Sequence, residues 1–430
     1  MRLYNDASPV TIGSWGATYT GDVLGLAIDP VVGKVWVRKN DAAWMGGGDP
    51  VAGTSPTFTV DPGLAFPAVG MLDNVGESTI DFGQNGYAYA PPQGFLPLCD
   101  ASRPEPAVLN VDEHYFGATF VAPVGAAQDI VVGWDAEASG FGLRLKRTDA
   151  AENWHYISDV TGLGYGVQQG ATGSTNARTA LTTDIVVSGN TITVPADLLT
   201  AGGTYLVEVF RRGVDSGFNV VTYTGNGVAG LQVPHGLGTA PFFVVAMSND
   251  ASGRYKPVWD RRLAETGAAA FFSANINSVS GSSTDVWNAT PPDAVNVTVG
   301  TNAATNVSGA GYALWCWSDV GVYREVGFRG NGSSNGPFNN MGGTPLAFPM
   351  WKDCNAVWGV VSVHDIMTPY NPIDKCLVVS DRISELAVTP VLARSSVGYK
   401  AISNSTGWNA SNHLIVGIAV AGNNKYRNAF

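Results

Sequence analysis

The feature that most constrains this chain is an internal echo at a fixed spacing. Gly225-Asn226-Gly227 and Gly330-Asn331-Gly332 begin 105 residues apart. Each follows a strand-like run, Phe218-Asn219-Val220-Val221-Thr222-Tyr223 in one copy and Tyr323-Arg324-Glu325-Val326-Gly327-Phe328 in the other. Gly238-Thr239-Ala240-Pro241 is matched by Gly343-Thr344-Pro345, each ahead of an apolar segment (242–247 and 346–351). Likewise Gly309-Ala310-Gly311-Tyr312-Ala313-Leu314-Trp315-Cys316-Trp317 echoes the run from Ala201 to Phe210. A more divergent copy runs from about residue 115 to 212, with Trp154 and Asp159 near the places of Trp259-Asp260 and His364-Asp365. Self-similarity at this period predicts three tandem units, 107–215, 216–320 and 321–430, behind an N-terminal segment 1–106.

Within the units, short apolar stretches (23–29, 33–40, 130–135, 141–146, 204–210, 242–247) alternate with Gly, Asn, Asp and Pro clusters, which is strand-and-turn patterning. With 53 Gly and 45% hydrophobic residues the chain has the glycine for many turns and the apolar surface to order itself. Only 261–274 and 380–392 have helical composition, and both are interrupted by Gly or Pro. The expected fold is all-β: tandem β-sandwiches of jelly-roll or immunoglobulin-like type. The run Leu199-Thr200-Ala201-Gly202-Gly203-Thr204-Tyr205 reads as a tyrosine corner, in which the Tyr hydroxyl returns to backbone upstream. The Gly-Asn-Gly turns need residues that accept positive φ, so a structural role accounts for their recurrence.

Charge narrows the function classes. With 24 Lys plus Arg against 35 Asp plus Glu, the net charge of −11 opposes binding of nucleic acid or anionic lipid through a general field. No apolar run reaches membrane-spanning length, and residues 1–10 lack an apolar leader, so neither membrane insertion nor export by the usual route is expected. Cys99, Cys316, Cys354 and Cys376 are too far apart for a zinc knuckle and read as free, mostly buried thiols. Six Asn-x-Ser/Thr sequons, at Asn288, Asn296, Asn306, Asn331, Asn404 and Asn409, read as turn chemistry.

Motifs for catalysis are missing. His155 with Asp159 and His364 beside Asp365 are the close His/Asp pairs, neither with metal-ligand spacing, and His235 falls in a Pro-His-Gly-Leu-Gly turn. Nucleophile-elbow, phosphate-loop, dinucleotide and calcium-loop patterns do not occur. No catalytic, cofactor-binding or metal-binding residue is therefore expected. Paired carboxylates for glycoside cleavage can be picked among Glu152, Asp159, Glu265 and Asp285, but nothing in their spacing joins them. Trp36, Trp134, Trp315 and Trp317 lie on strand patterns and are expected in the core. Trp287 and Trp408, in polar surroundings, are expected as exposed loop aromatics that contact a ligand or a neighbouring subunit.

Two resemblances add to this reading. Gly21-Asp22-Val23-Leu24-Gly25-Leu26-Ala27-Ile28-Asp29, then Gly33-Lys34-Val35-Trp36-Val37-Arg38-Lys39-Asn40 and Trp44, resembles the central hairpin of SPRY domains. Phe66-Pro67-Ala68-Val69, Asp81-Phe82-Gly83-Gln84 and Tyr89-Ala90-Pro91-Pro92-Gln93-Gly94-Phe95 continue that pattern in the same order. The likeness implies a non-enzymatic recognition or assembly module. The family's first half has no counterpart ahead of Thr11, so either another chain, a symmetry mate or the following repeat covers the open face or the domain is a reduced version, and coverage within an assembly is expected.

Residues 107–430 resemble the repeated β domains of bacteriophage tail-fibre and appendage proteins. The signs are Thr222-Tyr223-Thr224-Gly225-Asn226-Gly227, Val233-Pro234-His235-Gly236-Leu237-Gly238 before Ala240-Pro241, and Asn306-Val307-Ser308-Gly309 leading to Tyr312 and Trp315. This resemblance implies a virion structural protein that attaches non-covalently to a host-surface glycan or protein. It also implies contacts with other virion proteins and self-association as a homotrimer. The alternatives are a head-fibre, decoration or tail-tip component without a receptor role, and a polysaccharide-degrading tail spike.

Overall fold

A computed structural model describes residues 3–5, 8–10, 21–29, 32–59, 87–95, 111–169, 178–249, 254–320, 322–341, 346–363, 367, 371–395 and 398–421. It is all-β, 44% strand against 6% helix, and its sheets form tandem β-sandwiches. Met1–Pro104 is one compact unit and Glu105–Phe430 another.

In the first unit β1 (Leu3–Asn5) pairs with β2 (Ser8–Val10). The central hairpin joins β3 (Leu24–Asp29) to β4 (Lys34–Lys39), with β5 (Phe58–Thr59) beyond. Trp36 is buried, donates its indole N–H to Thr54 O at 2.8 Å and meets Phe95 edge-on at 6.2 Å. The Arg38 guanidinium lies over Trp44 and donates to Ala90 O. The hairpin, Trp44 and the 89–95 motif thus converge, while the motifs at 66–69 and 81–84 lie outside the described residues.

The second unit contains one strand plan three times. Its first copy comprises β6 (Tyr115–Val121), β7 (Gln128–Val131), β8 (Phe141–Arg147), β9 (Trp154–Ser158), β10 (Tyr165–Gln169), β11 (Arg178–Ala180), β12 (Val186–Ser188), β13 (Thr191–Val194) and β14 (Thr204–Arg211). Its large sheet runs β6-β14-β8-β9-β10-β11, and the small one β7-β13-β12. The second copy comprises β15 (Phe218–Thr224), β16 (Leu231–Pro234), β17 (Phe243–Ser248), β18 (Pro257–Asp260), β19 (Ala270–Ser273), β20 (Gly281–Ser282), β21 (Asn296–Val299) and β22 (Gly311–Trp317). Its sheets run β15-β22-β17-β18-β19-β20 and β16-β21.

The third copy comprises β23 (Tyr323–Arg329), β24 (Phe338–Asn340), β25 (Leu346–Asp353), β26 (Val361–Ser362), β27 (Ile373–Val378), β28 (Leu386–Ser395), β29 (Gly398–Ala401) and β30 (Leu414–Ala421). Here both layers join as one sheet, β23-β30-β25-β26-β27-β28-β29-β24. Every copy therefore inserts its last strand between its first and third, and pairs its second strand with its penultimate one.

Strand periodicity explains why these sheets pack on both faces. On β8, Phe141, Leu143 and Leu145 point into the first repeat's own sandwich with Ile130, Ile192 and Val194. The opposite face of the same sheet carries Trp154, Tyr156, Leu206 and Phe210 into a core shared by all three repeats. Val245, Met247, Trp315 and Trp317 enter it from the second repeat, and Tyr323, Met350, Ile418 and Val420 from the third. Val244, Ala246, Leu314 and Cys316, which alternate with the second repeat's set, fill that repeat's own sandwich. Phe210 stands at the junction, its ring 5.3 Å from Phe218, 5.9 Å from Trp317 and 6.2 Å from Tyr323. Gly142 makes this approach feasible, because a Cβ there would stand 2.8 Å from Phe218 and 2.9 Å from Trp315.

Hydrogen bonds also join the repeats. Trp154 Nε1 donates to Val378 O at 3.2 Å, and Tyr323 Oη to His114 O at 3.3 Å. Ser280 N donates to Cys354 O at 2.9 Å. Buried Lys256 donates to Gln168 O at 3.0 Å, and buried Lys146 to Arg382 O at 3.0 Å. Three sandwiches that the sequence presents as successive units are in fact fused.

The structure corrects other expectations. Of 261–274 only one helical turn forms, α1 (Arg261–Ala264), capped by the Asp260 carboxylate, after which the chain re-enters the sheet as β19. Segment 380–392 contributes most of strand β28 rather than a helix. Cross-strand register places Ile157 and Ser158, not Trp154 and Asp159, at the positions of Trp259 and Asp260. Val245 pairs with Val258 and Trp315, as Arg144 pairs with Tyr156 and Glu208. His364-Asp365 and Cys99 lie outside the described residues. Cys316, Cys354 and Cys376 are free and buried, and burial pushes the Cys376 thiol up to about 12.

Candidate functional site

Three polar constellations stand out, and two are structural. The first is the Gly-Asn-Gly clamp. Asn306 Oδ1 accepts the amides of Asn226 (2.7 Å) and Gly227 (3.1 Å), while Nδ2 donates to Val228 O and Gly300 O. In the third repeat Asn409 Oδ1 accepts Asn331 N at 3.0 Å, and Nδ2 donates to Asn331 Oδ1 and Ser333 O. Gly225 and Gly330 are required by close approach, since a Cβ would stand 2.2 Å from Val307 O and 2.1 Å from Ala410 O. Both sequon asparagines, Asn306 and Asn409, are buried.

The second constellation is the strand-entry pin. Thr200 N donates to Tyr205 Oη at 2.9 Å, the tyrosine corner expected from sequence. Val307 N donates to Tyr312 Oη at 2.8 Å, an equal corner five residues upstream in the second repeat. In the third repeat Ile415 holds that place, and Asp353 grips the loop instead, accepting from His413 Nδ1 at 2.9 Å and Gly407 N at 3.0 Å.

The third is a cleft of about 370 Å³ at the mouth of the first repeat's sandwich. Its floor is formed by Asn153, His155, Gly166 and Gln168 on β9, β10 and the loop before β9. Thr179 to Thr182 and Asp197 to Thr200 form the walls, and Arg382 of the third repeat stands at the rim. Glu152 is fully engaged: its carboxylate accepts from Arg147 (2.8 Å), Thr200 Oγ1 (3.0 Å) and Tyr205 Oη (3.1 Å). Burial pushes this carboxyl up, but those three donors outweigh it and hold its pKa below the usual glutamate value. Asp197 Oδ2 accepts the amides of Thr182 (2.8 Å) and Thr183 (3.2 Å).

Asn153 Nδ2 donates to Gln168 Oε1 at 3.0 Å, which leaves Asn153 Oδ1 buried with no hydrogen-bond partner among the described residues. His155 Nδ1 is in the same state. A Cβ on Gly166 would stand 3.7 Å from that nitrogen, in ordinary van der Waals contact with the ring. Burial pulls the His155 pKa down to about 4, against the opposing pull of Glu152, so the ring is neutral at pH 7.

The candidates picked from sequence are dispersed. His155 faces the cleft, but Asp159 is bound elsewhere, accepting Phe141 N at 3.0 Å and Arg212 Nη1 at 2.5 Å. Of the four acids considered as a pair, Glu152 alone lines the cleft. Glu265 pairs with Arg262, and Asp285 accepts from Ser283 Oγ and Asn302 Nδ2. Trp287 and Trp408 are not exposed: they are 1% and 4% accessible. Trp287 packs with Val286, Val297 and Leu314, and Trp408 meets Trp351 edge-on at 5.2 Å. Their polar neighbours serve the backbone, Asn288 as a left-handed cap and Asn409 as the clamp, and so say nothing about exposure. Asn153, Gln168 and Asp197 escape sequence reasoning because separate segments supply them and no local motif marks them. Among the described residues no cluster of His, Cys, Asp and Glu could hold a metal ion.

Residues 212–423, just under half of the chain, match the family model described as a domain of unknown function, DUF7483. That match spans the second and third repeats. Neither the curated proteins nor the solved structures contain a match to this chain.

Proposed function

We propose that this chain is a structural attachment component of a bacteriophage-like particle, binding a host surface non-covalently through the cleft of its first repeat. The observation that carries the reading is the contrast between the polar constellations. The Gly-Asn-Gly clamps and strand-entry pins satisfy the fold's own backbone, whereas the cleft is an opening lined by polar side chains of the first repeat together with Arg382 of the third. Three sandwiches fused on one aromatic core make a stiff mount for such a site. The SPRY-like hairpin and tail-fibre-like repeats supply the particle context. Self-association as a homotrimer would present several clefts at once, and linked weak contacts hold far better than single ones.

Both carboxylates that line the cleft are anchored by donors, as suits binding rather than proton transfer. Purified protein added before the particle tests this reading. Occupied receptors are expected to lower adsorption while leaving the envelope polysaccharide intact. Unchanged adsorption would contradict it and favour a scaffold component; release of reducing sugar would contradict it and favour a degrading spike.

A further inference from the structure

We infer that the second unit is a closed ring in which one head-to-tail face, used three times, joins each repeat to another, so that a single chain builds what three one-repeat chains would build as a trimer. Three markers establish which residues correspond. The tyrosine corners align Tyr205 with Tyr312, and with them their cross-strand partners Arg147 and Ser248. The 105-residue echo aligns the second repeat with the third. Buried Lys146 and Lys352 align the first with the third, each donating to the carbonyl six residues on, Glu152 O at 2.6 Å and Trp358 O at 2.5 Å. The three alignments agree with one another.

In this alignment the bonds between repeats are of two kinds. In one, a side chain at the head of the fourth strand of a repeat donates to a carbonyl on the fifth strand of another: Trp154 Nε1 to Val378 O, and Lys256 Nζ to Gln168 O. Register makes Trp154 equivalent to Lys256 and Val378 to Gln168, because Tyr156 pairs with Arg144 and Val167, Val258 with Val245 and Phe272, and Ser362 with Met350 and Leu377. In the other, an amide beyond the fifth strand donates to the carbonyl just past the third: Glu385 N to Thr148 O at 2.7 Å, and Ser280 N to Cys354 O at 2.9 Å. Both kinds run the same way round. The first repeat sets this edge on the third, the third on the second and the second on the first, so the circle closes. At the centre, the equivalent residues Phe210, Trp317 and Val420 pair with the equivalent residues Tyr115, Phe218 and Tyr323, and all six lie in the shared core.

The kind of partner this edge fits is another repeat, and the chain supplies all three itself. The family match over 212–423 covers two members of the ring, and the first repeat is the third. Association of whole chains, including a homotrimer, therefore uses other surfaces. The inference is independent of what the cleft binds.

Pulsed electron paramagnetic resonance on the full chain tests closure. Spin labels go in pairs on Val124→Cys, Val228→Cys and Ser333→Cys, exposed positions in the loops that follow the first strands, in a Cys99→Ser background, since the other cysteines are buried. A ring predicts three similar distances. A first-to-third distance near the sum of the other two would reveal an open row and overturn the proposal. A circular permutant that keeps every repeat gives the second check: residues 1–110, then 216–421, a short Gly-Ser linker and 111–215. With equivalent junctions it is expected to fold, and to unfold in a single transition like the parent. Failure to fold with both a short and a longer linker would overturn the proposal as well, even where the label distances agree.

Discussion

Asn306 and Asn409 each hold a glycine turn from within the fold, so their replacement exposes how much a buried amide contributes. Asn306→Ala strands the amides of Asn226 and Gly227 and the carbonyls of Val228 and Gly300. The Gly300 carbonyl is buried and the other three bonds are part-buried, so with about 1–3 kcal/mol for the buried orphan a loss of about 2 kcal/mol is expected in chemical denaturation. Asn409→Ala should behave alike. A loss below about 1 kcal/mol for both would show that solvent reaches these turns.

Lys256 makes a pH-dependent prediction. Burial pulls its pKa from 10.5 down to about 7. Between those values the unfolded chain binds more protons than the folded one, so this residue's contribution to stability rises with pH. Below about pH 7 both states are protonated, and the cost of burying the charge is carried in full. The stability of Lys256→Met relative to the parent is therefore expected to be greatest near pH 6. It should fall by about 3 kcal/mol by about pH 9.5, at roughly 1.4 kcal/mol per pKa unit. A difference that does not vary with pH, measured by urea unfolding across that range, would refute the account of Lys256.

At the scale of elements, the loop-to-strand junctions carry the repeat. Gly225→Ala would drive a Cβ to 2.2 Å from Val307 O and so unseat the turn between β15 and β16. It is expected to destabilise the protein by more than about 2 kcal/mol, whereas Gly189→Ala, which has open space around it, should feel only its positive φ. Thermal melts of the two variants separate close approach from backbone strain.

These junctions were also the most legible part of the sequence, because a clamp needs the same Gly-Asn-Gly triplet wherever it occurs. The tyrosine corner at Tyr205 was legible for the same reason, and Tyr312 repeats it. Less legible was the third repeat's substitute, where Asp353 and His413 lie 60 residues apart and meet only because β25 pairs with β30. Trp287 and Trp408 are hard to place from sequence because their polar neighbours suggest solvent, whereas those neighbours cap and bond the backbone. The cleft was almost invisible: His155 and Glu152 were among many candidates, while Asn153, Gln168 and Asp197 acquire meaning only once β9, β10 and the 195–200 turn are brought together. Helical composition in 380–392 yielded to sheet pairing, since Leu386 and Ala387 pair with Cys376 and Lys375, and Leu392 with Ile373.

For the whole molecule, the consequence is that repeats legible as separate units pack as one compact body around a shared core. Phe210 touches aromatic rings from the second and third repeats, and truncating a buried Phe costs about 3–5 kcal/mol. Phe210→Ala is therefore expected to destabilise all three repeats, not the first alone. The arrangement also places Arg382 of the third repeat at the rim of the first repeat's cleft, so the site depends on the fused body.

Hydrogen exchange read by mass spectrometry on the full chain, along a denaturant series, tests the shared core most directly. The last strands of the three repeats, Thr204–Arg211, Gly311–Trp317 and Leu414–Ala421, are expected to lose amide protection together, at one denaturant concentration. Loss of protection in one repeat while the other two stay protected would show independent units and contradict the fused architecture.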